Sequence, residues 1–395
     1  MTKITDIPAI RFKGFSDTWE QRKLGEVAKY RNGKAHENCI DESGKYIVVN
    51  SKFVSTNGTV IKHSNMQNEP LAQNEIAFVL SDVPNGRAIA RTFLVEENDK
   101  YTLNQRIAGI TSSENTYPYF LHILMNRHPY FLAFDDGVKQ TNLSVSDVLN
   151  FETYYPEYEE QKQIGEYFRN LDRLITLHQR KYDKLTNVKK SMLEKMFPQN
   201  GSNVPEIRFK GFTEAWEQRK LGEIGSVSMC RRIFKEQTSE NGEIPFYKIG
   251  TFGGEADAFI SRELFEEYKA KYQYPKKGDI LISASGSIGR TVVFTGKNEY
   301  FQDSNIVWLN HDKHLDNSFL KCFYSIVKWA GIEGSTIKRL YNDNILNTAI
   351  TLPSVEEQQK IGAYFENLDN LITLHQRELE KLKNLKKACL EKMFV

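Results

Sequence analysis

The sequence lacks any long apolar run. A membrane-spanning helix needs about 18–20 consecutive apolar residues, and no segment of the 395 residues approaches that length. The first ten residues also lack the apolar stretch of a secretory signal. We therefore predict a cytoplasmic protein with no membrane partner.

Cysteine is scarce, and its spacing is irregular. Without a CxxC motif, neither a disulfide framework nor a zinc site is indicated. His311 and His314 are separated by two residues, but no cysteine or second histidine pair has matching spacing. We expect no metal ion and four reduced, structural thiols, which are those of Cys39, Cys230, Cys322 and Cys389.

Net charge is small as well. The chain has 53 Lys and Arg against 51 Asp and Glu, which gives +2 at pH 7. Proteins that bind nucleic acid are often clearly basic. Composition alone therefore does not indicate a nucleic-acid partner, and any basic surface must arise from how the charges are arranged.

Motifs of the common enzyme classes are missing. No Gly-Lys pair is followed by Ser or Thr, so a phosphate-binding loop is not indicated. The Gly- and Ser-rich segment Ser283–Arg290 lacks the GxSxG pattern of a nucleophile elbow. The chain has no Pro-Asp or Pro-Pro dipeptide, which excludes the usual nuclease core and the Pro-Pro-Tyr motif of amino-methyltransferases. These absences favour a binding protein with no catalytic residues and no cofactor of its own.

What the sequence does have is a repeated frame. Ile10–Glu26 returns as Ile207–Glu223 with 14 of 17 residues identical, and Pro156–Phe197 returns as Pro353–Phe394 with 28 of 42 identical. Both pairs are shifted by 197 positions. The segments between them, 27–155 and 224–352, share little. A duplicated frame around two unlike segments suggests that the protein holds two different functional units at a fixed separation.

The second repeat predicts two long helices. Apolar residues recur at alternating steps of four and three, which is the pattern of a coiled-coil seam. Some 40 residues at a rise of 1.5 Å give a rod of roughly 60 Å. Acidic residues at the start and lysines at the end suit the helix dipole. The predicted seam residues are Ile164, Phe168, Leu171, Ile175, His178, Leu185, Ile361, Phe365, Leu368, Ile372, His375 and Leu382.

Two features of these helices allow more than one interpretation. Further apolar positions such as Leu174 and Leu371 widen the stripe beyond a two-stranded seam. They face either partner helices or the segments between the repeats. His178 and His375 fall near the helix midpoints and either fix the register of an antiparallel pair or are simply tolerated there.

Each unlike segment predicts a mixed α/β domain. The strand-like runs are Tyr46–Asn50, Glu75–Leu80, Arg87–Val95, Ile280–Ser283, Thr291–Phe294 and Ile306–Leu309. Helical stretches follow near 117–126 and 318–327. Landmarks also align: 74–76 with 278–280, two loops that end in Gly-Arg87 and Gly-Arg290, and Gly137–Leu143 with Gly334–Leu340. Both segments therefore are expected to share one fold with different polar loops, a common design for recognition surfaces.

This layout resembles the specificity subunits of type I restriction-modification systems. The resemblance covers essentially the whole chain. It is carried by Trp19–Glu26 (WEQRKLGE) and its copy Trp216–Glu223, and by the Pro156…Glu-Glu-Gln…Ile-Gly165 pattern and its copy that begins at Pro353.

The resemblance implies an α+β fold with two similar mixed α/β target-recognition domains, separated by two long helices that form an antiparallel coiled coil. The implied divisions are 1–155 (first domain), 156–197 (first helix), 198–206 (linker), 207–352 (second domain) and 353–395 (second helix). Each domain would read half of a bipartite site in double-stranded DNA in the bacterial cytoplasm. Two modification (methyltransferase) subunits and restriction (motor and nuclease) subunits would be partners and would bring S-adenosylmethionine, ATP and Mg.

Specific reading of DNA requires side chains that reach base edges and others that hold phosphates. The alternative for each candidate is that its side chain is a solvated surface charge, or forms a hydrogen bond that stabilises its own loop, and does not contact DNA. In the first segment we predict contacts from Arg31, Asn32, Lys34, Asn50, Lys52, Asp82, Asn85, Arg87, Lys139 and Gln140. In the second we predict Arg231, Arg232, Lys235, Ser283, Ser285, Ser287, Arg290, Lys338 and Arg339, with Arg87 and Arg290 as the best pair.

Two other functions remain open on sequence alone. One is a specificity subunit of a related system that methylates without a type I motor, or of another restriction system. The other is a coiled-coil scaffold that binds protein partners and no DNA. A scaffold would show no sequence preference and little dependence of DNA retention on salt.

Overall fold

The computed structural model describes residues 7–199, 201–330 and 339–394. The chain divides into two compact units, one of Met1–Gln179 with Arg377–Val395 and the other of Arg180–Gln376. Each unit thus contains one of the unlike segments. Each also contains the first half of one long helix and the second half of the other.

Within its described residues, the first unit is built from eleven strands, six helices and the last part of a seventh helix. The strands are β1 (Glu20–Lys23), β2 (Ala28–Asn32), β3 (Tyr46–Val49), β4 (His63–Ser64), β5 (Ile76–Val79), β6 (Ser81–Asp82), β7 (Thr92–Leu94), β8 (Tyr101–Leu103), β9 (Ile107–Ser112), β10 (Thr141–Asn142) and β11 (Glu152–Tyr155). The helices are α1 (Leu24–Val27), α2 (Ser51–Ser55), α3 (Pro118–Met125), α4 (Pro129–Leu132), α5 (Val145–Leu149) and the long α6 (Tyr158–Lys195), which continues into the second unit. A 3-10 turn covers Glu37–Cys39.

The second unit carries the remaining elements. Its strands are β12 (Glu217–Lys220), β13 (Gly225–Met229), β14 (Ile244–Tyr247), β15 (Phe259–Ile260), β16 (Ile280–Ser283), β17 (Thr291–Val293), β18 (Tyr300–Phe301), β19 (Ile306–His311) and β20 (Ala349–Leu352). Its helices are α7 (Leu221–Ile224), α8 (Arg262–Lys271), α9 (Asn317–Ile326), α10 (Asn342–Leu346) and the long α11 (Val355–Lys392), whose end belongs to the first unit. A 3-10 turn covers Lys235–Gln237.

The two units share the topology of three sheets, and the first unit adds a short ribbon, β6-β10, where the described residues of the second have only an isolated bridge between Ser285 and Arg339. A four-stranded antiparallel sheet has the order β2-β9-β5-β7 in the first unit and β13-β19-β16-β17 in the second. A three-stranded sheet, β4-β3-β8 or β15-β14-β18, includes one parallel pair in each case. A two-stranded ribbon joins β1 to β11 and β12 to β20. The prediction that both segments share one fold is therefore confirmed.

The four-stranded sheet lies in the middle of each unit. In β5, Ile76 and Phe78 pack in one hydrophobic core with Phe120 of α3 and Phe168 of α6. Ala77 and Val79 point to the other face and pack in a second core beside the three-stranded sheet. Because both faces are covered, β5 is buried at every position, and a strand of this kind reads as a continuous apolar run.

The repeated segments bind each other in both units. Arg11 makes two hydrogen bonds of 2.6 and 2.7 Å to the buried Glu160 in the first turn of α6. Arg208 repeats this with Glu357 in α11 at 2.7 and 2.8 Å. The N–H groups of the preceding residues, Ile10 and Ile207, donate to the carbonyls of Lys392 and Lys195 at the ends of α11 and α6.

The long helices run antiparallel within each unit. In the first, Lys386 of α11 binds Asp172 of α6 at 2.6 Å. In the second, Lys189 of α6 binds Asp369 of α11 at 2.5 Å. The seam is buried at Ile164, Phe168, Leu171, Ile361, Phe365 and Leu368, and partly buried at Ile175, His178, Leu185, Ile372, His375 and Leu382. The predicted antiparallel helices are confirmed.

The sequence-based elements need one correction. The predicted strand Arg87–Val95 is reduced to Thr92–Leu94, because residues 87–91 form the end of a loop that is fixed by side-chain bonds. No helix within the described residues combines the length and apolarity needed to span a bilayer. In the same residues, no three His, Cys, Asp or Glu side chains form a group that could hold a metal ion.

Candidate nucleic-acid interface

Two loops at one end of the first unit's sheet bring several predicted contact residues together. Ser81 and Asp82 pair with Asn142 and Thr141 in a short antiparallel ribbon. Gln140 Nε2 donates to Ser81 Oγ at 2.8 Å. The predicted residues that meet in these adjoining loops are Asp82, Asn85, Arg87, Lys139 and Gln140. We call loops 81–91 and 135–142 the first loop surface.

Asp82 has an internal role on this surface. Its carboxylate accepts hydrogen bonds from the backbone N–H groups of Val83, Ala88 and Ile89, at 2.9, 2.5 and 3.0 Å. A Cβ on Gly86 would lie 2.1 Å from the same carboxylate, so this position requires glycine. Asp82 therefore shapes the loop, and we leave it out of the proposed DNA contacts.

Three arginines gather beside the first loop surface. Arg91 Nε donates to the Arg87 carbonyl at 2.6 Å, and Arg127 donates to the Ile89 carbonyl at 3.2 Å. Burial, followed by the nearby cations of Arg127 and Arg87, lowers the pKa of Arg91 below its usual value. A cluster of like charges on a polar surface is suited to phosphate oxygens.

The predicted equivalence of Arg87 and Arg290 is wrong. The N–H of Val79 donates to the carbonyl of Arg91, and the N–H of the matching residue, Ser283, donates to the carbonyl of Arg290. Strands β7 and β17 start at the next residue in each unit. Arg290 therefore corresponds to Arg91, because the first unit's loop is longer than the second's.

The remaining predictions in the first unit surround the turn between β8 and β9. Lys34 forms an isolated bridge with Asn104 and pairs with Glu69 at 2.8 Å, although its side chain is 65% exposed. Asn32 and Lys52 are exposed nearby, and Asn32 accepts from the Tyr30 hydroxyl. Gln105 and Arg106, exposed in the turn itself, were missed by sequence reasoning.

Two predicted residues in this region are held inside the unit. Arg31 binds Glu75 at 2.7 and 2.8 Å, the Pro70 carbonyl at 2.6 Å and also Glu69. Asn50 caps α2 by accepting from the Phe53 N–H at 2.9 Å. The Arg31 guanidinium and the Asn50 carbonyl oxygen already have partners, so we assign both residues a structural role.

The second unit presents an open groove of about 750 Å³ at the equivalent turn. Arg232, Lys235 and Arg339, all predicted from sequence, line it together with Lys248 and the turn residues 302–305. Arg232 is loosely held, since it lies 3.9 Å from Asp303 with its side chain 69% exposed, whereas Lys248 pairs with Asp257 of the groove at 2.9 Å. A cation held as loosely as Arg232 can exchange its carboxylate for phosphate oxygens at small cost.

Aromatic rings accompany the exposed arginines of the second unit. Arg232 lies over the ring of Phe234 at 5.6 Å, and Arg339 lies over Tyr341 at 5.9 Å. Arg231, also predicted, lies over Tyr272 at 5.1 Å. Phe234 is 51% exposed at the groove, where it offers an apolar contact to a base or a thymine methyl group.

The other predictions in the second unit have mixed outcomes. Ser283 is buried, and its hydroxyl donates to the Ser287 carbonyl and accepts from the Arg290 N–H, so it is structural. Ser285 bonds to Asn305 at 2.9 Å and pairs with Arg339, which places it beside the groove. Lys338 lies outside the described residues.

Turns that precede the central strand were missed in both units. Gln105 and Arg106 precede β9, as Ser304 and Asn305 precede β19. The signal was available: each is a polar turn directly before an apolar strand, at matching places in the two segments. Lys248 and Phe234 had no comparable signal, because no repeat or strand boundary marks them.

Comparisons with known proteins agree with this architecture. The family model described as "Type I restriction modification DNA specificity domain" matches residues 16–187 and again 213–384. The chain belongs to this family. The two matched stretches together cover most of the chain, and each combines one unlike segment with most of the long helix that follows it.

Individual relatives are described as specificity subunits of type I restriction enzymes. A putative type I restriction enzyme specificity subunit of Haemophilus influenzae is 60% identical over 158 residues, which are 39% of this chain and 41% of the relative. The match therefore spans less than half of that protein. The type I restriction enzyme MjaVIII specificity subunit of Methanocaldococcus jannaschii is 22% identical over 94% of this chain and 91% of its own length.

A solved structure supports the fold. The crystal structure of a type I restriction-modification S subunit from M. genitalium covers 98% of this chain and 99% of its own, with a TM-score of 0.70. Sequence identity is only 15%. At this identity the likeness concerns the fold, which matches the two domains and paired long helices described above.

Proposed function

We propose that this chain is the DNA-recognising subunit of a type I restriction-modification complex. Each unit reads one half of a bipartite target in double-stranded DNA. The observation that supports this most directly is one fold built twice with unlike loops at the same sheet end: the first loop surface in one unit, and the groove lined by Arg232, Lys235 and Arg339 in the other. Two unlike readers on one chain suit two unlike half-sites.

Two modification subunits are proposed to dock on the long helices. Leu174 and Leu177 of α6 are 43% and 47% exposed in the first unit, and Leu371 and Leu374 of α11 are 44% and 52% exposed in the second. These are the same two positions of the repeat, 197 residues apart. Two identical exposed pairs suit two copies of one partner.

The chemistry is proposed to reside in the partners. Modification subunits would bring S-adenosylmethionine, and restriction subunits would bring ATP and Mg for translocation and cleavage. This chain would act in the bacterial cytoplasm as the non-catalytic subunit. Its contribution would be to choose the site and to hold the modification subunits on it.

The test uses the complex reconstituted with its modification subunits and a target duplex identified by methylome sequencing. Arg232→Ala and Arg339→Ala should weaken binding about 5- to 150-fold if they contact bases. If they contact phosphates, the salt slope should fall by about one for each residue. The matched control is Arg262→Ala, an exposed arginine of the same unit that pairs with Glu243 outside the groove.

DNA duplexes with altered half-sites distinguish sequence-specific recognition from non-specific electrostatic binding. Randomising the half-site of the second unit should abolish the effect of Arg232→Ala, whereas randomising the other half-site should leave it intact. Equal losses for Arg232→Ala and Arg262→Ala would reject the groove as the interface. No preference for any bipartite duplex would favour the protein scaffold instead.

Helix length is proposed to set the spacing of the half-sites. Removing seven residues from each long helix shortens it by about 10 Å, which corresponds to roughly three base pairs. The shortened complex should tolerate a shorter spacer with unchanged half-site sequences. Changed sequences with an unchanged spacer would contradict the proposal.

A further inference from the structure

The second unit contains a cavity that the function above does not use. Its volume is about 320 Å³, and it lies between α9, α11, the end of α6 and the edge of the four-stranded sheet. Ile280, Cys322 and Phe365 give it an apolar wall. Lys321, Glu366 and Asp369 supply charged groups. A mostly apolar space with a few converging polar groups is typical of a small-molecule site.

The first unit fills the corresponding space with its own side chain. Residues are matched by one bond that both units make: Gln161 Oε1 accepts from the Tyr117 N–H at 3.0 Å, and Gln358 Oε1 accepts from the Asp316 N–H at 2.8 Å. Counting from these residues, Tyr119 corresponds to Ser318. His122 likewise corresponds to Lys321.

Tyr119 contacts the three positions whose counterparts line the cavity. Its hydroxyl donates to Asp172 Oδ2 at 2.9 Å, and its ring lies 5.3 Å from the His122 ring. The Arg169 guanidinium lies over the same ring at 5.8 Å. The counterparts of Asp172, His122 and Arg169 are Asp369, Lys321 and Glu366. The cavity is thus the space left where serine replaces a tyrosine.

In the first unit the Tyr119 hydroxyl donates to Asp172, and the second unit keeps the corresponding carboxylate, Asp369. Asp369 is bound by Lys189 at 2.5 Å and by Lys321 at 3.0 Å. Burial is the largest single influence and opposes ionisation, but the hydrogen bonds and positive charges of the two lysines together outweigh it and lower the pKa of the carboxyl. An ionised carboxylate has room for further donors beyond these two. Lys321 also offers an ammonium group that can lie over an aromatic face.

We propose that this cavity binds a small phenol, with its ring between α9 and α11 and its hydroxyl donating to Asp369. The ring would occupy the position of the Tyr119 ring in the first unit. Ser318 and Gly362, both small, line the cavity at that position. The proposal is independent of DNA recognition, and its test uses no DNA.

The probe is 4-methylphenol, which is the tyrosine side chain without its backbone. Ligand-observed NMR on the full chain should show one saturable site with a Kd of about 1 mM, which suits so small a ligand. Toluene, which lacks the hydroxyl, should bind about tenfold more weakly. Asp369→Asn keeps the shape of the cavity and should weaken 4-methylphenol about tenfold without affecting toluene.

Two substitutions exchange the residues at this equivalent position, so that each unit receives the side chain of the other. Ser318→Tyr should fill the cavity, abolish binding and leave the melting temperature equal or higher. Tyr119→Ser should open the equivalent space in the first unit and raise the stoichiometry from one to two. Melting curves confirm that both variants are folded. Absence of saturable binding to the unaltered chain, undiminished binding in Ser318→Tyr, or an unchanged stoichiometry in Tyr119→Ser would each overturn the proposal.

Discussion

Glu357→Gln is the substitution that most directly tests how the repeated frame is held together. Arg208 donates from Nε and Nη2 to both oxygens of Glu357, at 2.7 and 2.8 Å. The side chains are only 12% and 1% exposed. Glutamine keeps the shape but leaves the guanidinium buried without a counter-charge. Breaking one side of such a pair costs about 3–5 kcal/mol, a large part of the 5–15 kcal/mol that typically stabilises a domain.

Urea unfolding followed by tryptophan fluorescence measures the effect in the second unit, where Trp216 lies 5.9 Å from Phe197 at the end of α6. The control is Glu217→Gln, whose ion pair with Arg219 is exposed and contributes at most about 1 kcal/mol. Replacing both partners, Arg208→Met with Glu357→Gln, should recover much of the loss, because no unpaired charge remains. The reasoning is refuted if Glu357→Gln costs no more than Glu217→Gln.

Three further predictions concern the first unit. Lys386→Glu should destabilise it through repulsion from Asp172; a double-mutant cycle with Asp172→Lys should give a coupling of about 0.5–3 kcal/mol, and zero coupling would argue against the antiparallel contact. His122 and His128 have pKa values lowered by burial to about 4, so as the pH falls they become protonated in the unfolded chain before they do in the folded chain. The stability that they confer is complete above about pH 6.5 and is lost as the pH falls toward 4; urea midpoints at pH 7.5 and 5 should differ more in the unaltered chain than in a His122→Gln, His128→Gln variant. Asp82→Ala should loosen loop 81–91, seen as faster amide exchange at Ala88 and Ile89, while the stability of the second unit stays unchanged.

The long helices and the shared fold could be predicted because their signals are local and periodic. The seam repeats every seven residues, and the strand-like runs at β3, β5, β16 and β19 are apolar throughout or nearly so. Short strands such as β6 and β10 could not be predicted. They are two residues long and exist only because loops 81–91 and 135–142 meet.

The interface was less accessible to sequence reasoning, because the same residue type has opposite roles in different surroundings. Arg31 and Arg232 look alike in the sequence. Yet Arg31 is surrounded by Glu69 and Glu75, which are more than 35 positions away, whereas Arg232 has only a loose contact with Asp303. The pairing of Arg87 with Arg290 failed because loops of different length shift the alignment that side-chain identity suggested.

The contacts between the repeated frame and the unlike segments explain why the two copies of the frame are similar in sequence and the two segments are not. Gln161 is buried, and its side chain donates to the Pro156 and Asn115 carbonyls and accepts from the Tyr117 N–H. Gln358 makes the same three kinds of bond to Pro353, His314 and Asp316. All three partners of each carboxamide are backbone groups, so the residues that carry those groups can change while the glutamine stays. At these contacts the frame binds the recognition segments through backbone groups, which leaves the side chains of those segments free to differ. Where a side chain makes the contact, the two units do differ: Tyr119 binds Asp172 in the first, and Lys321 binds Asp369 in the second.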